Sequence, residues 1–151
     1  MLCYRFCQRA LVALDGEGAR LYGGRWNPKG TRMVYAASSL SLTVLESLVH
    51  WSSSILPHNY VSVAIEVPDD LGTETWDTTD LPANWRDTPG PETLQSLGKN
   101  WLVRRKTALL VVPSAVVSTE QNVLINPAHP DARRIRAKKP VAFQFDARLR
   151  K

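Results

Sequence analysis

The sequence predicts an α+β domain built on a mostly antiparallel sheet, split around a cleft and flanked by helices. Three observations point there. Segments of strand character outnumber helical ones. In YVSVAIEV (60–67) the residues Val61, Val63, Ile65 and Val67 alternate strictly, which is the period of a half-buried strand. Strand and helix also alternate too irregularly for a doubly wound parallel sheet. With 151 residues, 44% of them hydrophobic, the chain fits one domain, 1–151, with a sizeable core.

The elements follow in order. MVYAA (33–37) reads as a strand, after which Ser38 or Ser39 offers an N-cap for a helix from about Leu40 to Trp51. Leu45, Leu48 and Val49 give that helix an apolar face. The strand at 60–67 comes next, then a long loop rich in proline and aspartate, DTTDLPANWRDTPGP (77–91). Pro91 suits the first turn of a second core-facing helix, because Leu94, Leu97, Trp101 and Leu102 recur at helical spacing. TALLVVP (107–113), NVLIN (122–126) and VAFQF (141–145) read as strands, with a short helix after Pro130. Pro113 has no amide proton and is expected to break the ladder where it stands.

Composition narrows the function. The longest apolar runs, such as ALLVVPSAVV, fall well short of the roughly 20 residues that cross a bilayer, and MLCYRFCQRA lacks the apolar core of a signal peptide. The expectation is a soluble cytoplasmic protein with no membrane partner. Cys3 and Cys7 form no CxxC and read as ordinary reduced thiols. His50, His58 and His129 are scattered, and neither HExxH nor GxxxxGK[ST] occurs, so no metal site and no P-loop is expected. Ser114 lies in VPSAV, not in the GxSxG elbow of a hydrolase. A formal charge of +5, concentrated in DARRIRAKKP and DARLRK, suits an anionic partner. Nucleic acid, a phosphate-bearing small molecule, an acidic protein and a plain solvated face all satisfy it.

The densest run of chemistry is LYGGRWNPKGTRMVYAASSLSLTVLESLVHW (21–51). Gly23 and Gly24 suit a close approach of backbone to ligand, or a simple turn. Arg25 offers a planar fork of donors to a phosphate or carboxylate, or covers Trp26 with its stem. Tyr35 can stack on a flat ring, or serve as a strand residue with one wet edge. Glu46 stands at the border of an apolar helix face, one turn before His50, where it is either a chemical group or a boundary carboxylate paired to that histidine.

Taken together, GGRWNPKGTRMVYAA, LTVLESLVH, LVRRKTALLVVPSAVVSTEQNVLINPAHPD and VAFQFDARL resemble, in order and over nearly the whole chain, the RES-domain toxins. The family is named for an arginine, a glutamate and a serine, and the resemblance puts these at Arg25, Glu46 and Ser114, with Tyr35 as the accompanying aromatic residue. It implies a fold similar to ADP-ribosyltransferase toxins and a bacterial toxin that destroys NAD+ by cleaving the nicotinamide–ribose bond. It further implies an Xre-type antitoxin as partner. No metal or bound cofactor is expected for this cleavage, because nicotinamide leaves as a neutral molecule and its departure relieves a positive ring.

On this resemblance Glu46 faces the positive, oxocarbenium-like ribose of the transition state. Arg25 meets the pyrophosphate, Gly23, Gly24, Trp26 and Asn126 belong to the substrate pocket, and Ser114 presents its hydroxyl to nicotinamide or ribose; by its position alone Ser114 serves equally as a strand-end hydroxyl bonded to backbone. The acceptor is left open between water, phosphate and a protein side chain. Transfer of ADP-ribose to a protein is the alternative. A nucleic-acid-binding module is the weaker one, since no recognition helix or aromatic sheet signature is present. Arg32, Arg133, Arg134 and Arg136 are expected to rim the pocket, where an antitoxin carboxylate would cover the entrance.

Overall fold

Eight strands join in one sheet in a computed structural model that describes residues 1–51 and 58–149. The strands are β1 (Leu2–Gln8), β2 (Val34–Ala37), β3 (Tyr60–Glu66), β4 (Thr73–Thr75), β5 (Leu109–Pro113), β6 (Gln121–Ile125), β7 (Arg136–Ala137) and β8 (Val141–Ala142). Their order is β4-β5-β6-β2-β1-β3-β7, with β8 also on β3, and every pair is antiparallel except β4 with β5. Three α-helices accompany them among the described residues: α1 (Glu17–Tyr22), α2 (Leu40–Leu48) and α3 (Glu92–Arg104). The α+β class and the mostly antiparallel sheet expected from the sequence are therefore present. None of the described helices is long and apolar enough to cross a membrane.

Alternation sorts the strand residues into two cores. Val34 and Ala36 of β2, Val123 and Ile125 of β6, and Leu109 and Val111 of β5 pack on one face with Val61, Val63 and Ile65. Leu124, Leu110 and Val112 point to the other face, where they meet Trp26, Trp101 and Leu94 under α3. The helical spacing read for α3 is realised, since Leu94 and Trp101 are completely buried. Gly98 sits on the same helix because a Cβ there would lie 2.0 Å from the Trp26 carbonyl oxygen.

Between β1 and β2 the sheet is joined by one residue pair, Tyr4 with Ala37. A buried guanidinium lies against the same strand. Arg5 Nη1 donates to the Tyr35 carbonyl at 3.4 Å and Nη2 to the Leu11 carbonyl at 3.1 Å, while Nε has no partner among the described residues.

Several boundaries differ from the sequence reading. α2 ends at Leu48 because Trp51 turns into an aromatic cluster, with its ring 5.2 Å from Tyr60 and 5.6 Å from Phe145. VAFQF forms only the two-residue β8, since Phe143 and Phe145 pack on Phe6 at 5.0 and 5.7 Å. Pro113 ends β5 but pairing continues one step past it, with the Ser114 amide donating to the Glu120 carbonyl at 2.9 Å. The turn after Pro130 is a 3-10 helix, Pro130–Arg134. Arg150 and Lys151 of the basic tail lie outside the described residues.

Cys3 and Cys7 are free and buried. Burial pushes the Cys3 thiol from 9.0 up to about 11. A raised acid favours folding while it stays protonated, so its contribution is complete below about pH 9 and is lost as pH rises through about 11. The melting temperature is expected to fall across that window, and by less in Cys3→Val. Parallel melting curves of the two proteins from pH 8 to 11 check this, and identical pH slopes would refute it.

Candidate active site

The site grows out of the end of β2. Ser39 starts α2, its Oγ accepting from the Leu42 amide at 3.1 Å, and the helix then carries Glu46 back over the sheet. Glu46 is half-buried. Its Oε1 accepts two hydrogen bonds, from Ser114 Oγ at 2.6 Å and from Asn122 Nδ2 at 2.7 Å. Among the described residues Oε2 has no hydrogen-bond partner, and no cation pairs with the carboxylate; His50 does not.

Ser114 is completely buried behind this carboxylate. Its Oγ also accepts from the amides of Val116 at 3.1 Å and Val117 at 2.9 Å. A hydroxyl has one proton and two lone pairs. Both lone pairs are taken by amides, so the proton is committed to Glu46. The structure therefore gives Ser114 no free hydroxyl to present to nicotinamide or ribose; it orients Glu46 instead. Asn122 completes the cradle. It stands opposite Ala37 and Val112 in the sheet and two residues before Leu124, which pairs with Tyr35, so Asn122 and Tyr35 share a face.

Arg25 approaches through the turn after α1. Gly23 caps that helix at φ +70°, its amide donating to the Ala19 carbonyl at 2.8 Å. At Gly24 a Cβ would sit 2.6 Å from the Tyr35 hydroxyl oxygen. The two glycines thus serve the turn and the approach of Tyr35. Asn27, fully buried, closes the turn with Nδ2 donating to the Ala19 and Thr31 carbonyls, each at 2.9 Å. Tyr35 Oη donates to Asn27 Oδ1 at 2.7 Å and accepts from the Trp26 amide at 3.0 Å, and burial raises its phenol well above the ordinary range. Arg25 Nη1 donates to the carbonyls of Trp85 at 2.7 Å and Asp87 at 3.1 Å. Its Nε and Nη2 have no partner among the described residues.

Other expected residues stand elsewhere. Trp26 is 2% exposed, its carbonyl against Gly98 and its ring 5.9 Å from Trp76, so it is core rather than pocket wall. Asn126 lies past the opposite end of β6 from Asn122. There Nδ2 donates to the Leu102 carbonyl at 2.9 Å and Oδ1 accepts from the Ala128 amide at 3.0 Å. A cavity of about 910 Å³ opens at that end, lined among others by Asn126, Arg32 and Arg105, and includes neither Glu46 nor Arg25.

Three of the four cations expected at the rim are placed by their own partners or strand. Arg32 pairs with Glu17 at 2.7 Å, Arg134 pairs with Asp70, and Arg136 lies on β7, three places from β2 in the sheet. Two polar residues passed over in the sequence belong to the framework. Asn122 was signalled only by a polar residue heading an apolar strand. Arg5 was signalled by a cation alternating in step with Cys3 and Cys7. Among the described residues no three His, Cys, Asp or Glu side chains converge as metal ligands.

The RES domain family model matches residues 2–146. The chain is 46% identical over 138 residues to the Prs ADP-ribosylating toxin of Sphingobium sp. (strain YBL2), covering 90% of this chain and 86% of that one. It is 39% identical over 153 residues to the Toxin Res of Yersinia enterocolitica, covering 99% of this chain and all of that one. Its fold superposes on a chain from the M. tuberculosis MbcT-MbcA toxin-antitoxin complex with a TM-score of 0.76 at 22% identity, covering 94% of this chain and 83% of that one.

Proposed function

The chain belongs to the RES domain family, and from that premise we propose that it is the toxin of a toxin-antitoxin pair, an enzyme that cleaves the nicotinamide–ribose bond of NAD+. One observation carries the reading. Glu46 is held through Oε1 by two neutral donors while Oε2 is left without a partner among the described residues. Breaking the bond builds positive charge on the ribose, and a preorganised carboxylate whose own charge is not cancelled by a neighbour stabilises that charge. Ser114 and Asn122 act as positioning residues for Glu46. Arg25, anchored by Nη1, keeps its other donor edge for the pyrophosphate, and Tyr35 fixes the backbone beside it and offers its ring as a stacking surface. Nicotinamide leaves as a neutral molecule, so the step calls for no metal ion, and a chelator should not slow it.

Water as acceptor yields ADP-ribose, inorganic phosphate yields a phosphorylated ADP-ribose, and a protein side chain yields a covalent adduct. Water or phosphate is the first reading. The name of the 46% identical relative, an ADP-ribosylating toxin, favours protein transfer as the second. The partner is an antitoxin protein of the Xre type. Incubation with NAD+ labelled in the adenine, in buffers with and without phosphate and with cell extract, tests all three through the fate of the label. No release of nicotinamide under any of these conditions would overturn the proposal.

Arg25→Lys removes the fork while keeping the charge. An ammonium is a single donor point and lacks the second edge that lets Arg25 hold the Trp85 and Asp87 carbonyls on one side and a phosphate on the other. The KM for NAD+ should rise about 10-fold, the scale of one lost charge-assisted hydrogen bond, with a smaller change in kcat. Steady-state kinetics decide it, and an unchanged KM would leave Arg25 a structural anchor.

A further inference from the structure

The loop between β4 and α3 grips both halves of the candidate site. Trp85 is buried among Trp26, Leu94 and Leu110, so the segment around it has a fixed seat. From this seat the Trp85 and Asp87 carbonyls receive Arg25 Nη1. The residue between them reaches the other way. Arg86 donates from Nε at 3.2 Å and Nη2 at 3.1 Å to one acceptor, the Ala115 carbonyl, and its guanidinium stands 6.0 Å from the Trp85 ring centre. Ala115 follows Ser114, and the next two amides, Val116 and Val117, are those that occupy the lone pairs of the Ser114 hydroxyl.

We infer that Arg86 is a positioning residue of the reaction, fixing the 114–117 turn so that the Ser114 hydroxyl keeps its hydrogen bond to Glu46 and the carboxylate keeps its orientation. The inference rests on the function proposed above. The contact is made by an exposed side chain and joins two loops that no other described hydrogen bond connects, so it adds little to global stability. Its effect falls on geometry. A small drift of a carboxylate that must meet charge on a ribose lowers turnover without loosening the groups that bind the pyrophosphate. The fork also explains the residue type, because two donors converging on one carbonyl set an orientation that a single ammonium cannot.

The test compares Arg86→Ala and Arg86→Lys with the wild type. In Arg86→Ala, kcat for nicotinamide release should fall about 10-fold with KM changed less than about 2-fold. Amide exchange at Val116 and Val117 should accelerate while the melting temperature holds. Arg86→Lys, which keeps the charge and one donor but not the fork, should recover only part of both. Wild-type kcat in Arg86→Ala, or unchanged exchange at the two amides, would overturn the inference. The exchange measurement needs no NAD+. A wild type that releases no nicotinamide therefore counts against the proposed function, while unchanged exchange counts against Arg86.

Discussion

Glu46→Gln should lower NAD+ turnover by on the order of 100-fold or more, equivalent to roughly 2.7 kcal/mol of lost transition-state stabilisation. The geometry makes this a clean substitution. The glutamine carbonyl oxygen can still accept from Ser114 Oγ and Asn122 Nδ2, so the cradle stays filled and the protein stays folded. What disappears is the negative charge on the Oε2 side, which has no partner among the described residues and where an amide would stand in its place. Binding of NAD+ should change far less, because the charge matters only as the ribose becomes positive. Glu46→Ala would be a poorer probe, since it strands a serine proton and an amide in a partly buried space. Single-turnover release of nicotinamide, measured beside the melting curve, checks the result. A folded Glu46→Gln protein with near-normal turnover would remove Glu46 from the chemistry.

Gly98→Ala should destabilise the chain, and helix propensity argues the opposite sign. In the interior of α3 an alanine gains about 1 kcal/mol over glycine. Against that, the added Cβ would lie 2.0 Å from the Trp26 carbonyl oxygen and 2.9 Å from its carbon, both backbone atoms that cannot rotate away. Either α3 lifts off the sheet or the 23–27 turn moves, and each opens a core that contains Trp26, Trp101 and Leu94. Strain of this kind costs about 1–3 kcal/mol and more where backbone must move, so the clash wins. A fall in melting temperature on the order of 5 °C is expected for a chain of this size. Because the same turn presents Arg25, the KM for NAD+ should rise as well. An unchanged or raised melting temperature would show that α3 does not pack on Trp26 this closely.

The sequence by itself determined the regular, one-faced elements. β3 and α3 were legible because a single period, two residues in one and 3.6 in the other, places their apolar side chains on a common face whatever the rest of the chain does. The serine cap of α2 was legible for the same local reason, a side chain bonding an amide three residues on. β1, α1 and β4 were not. β1 sets Cys3, Arg5 and Cys7 on its core face, β4 is three residues of Thr-Glu-Thr, and α1 is held by the turn that Asn27 ties, so none carries a strong local signal. At the site, Glu46 and Arg25 were legible as chemistry in unexpected places.

Their surroundings belong to the tertiary structure alone. Asn122 meets Glu46 across 76 positions of chain, and Ser114 does so across 68, because β2, β6 and β5 are neighbours in the sheet. The same packing turned Ser114 from a presenting hydroxyl into a buried support, drew Trp26 into the core and placed Asn126 past the opposite end of β6 from Asn122. A residue's type is written in the sequence. Which of its lone pairs, protons and faces remain free is settled only when strands distant in the chain lie side by side and use the others.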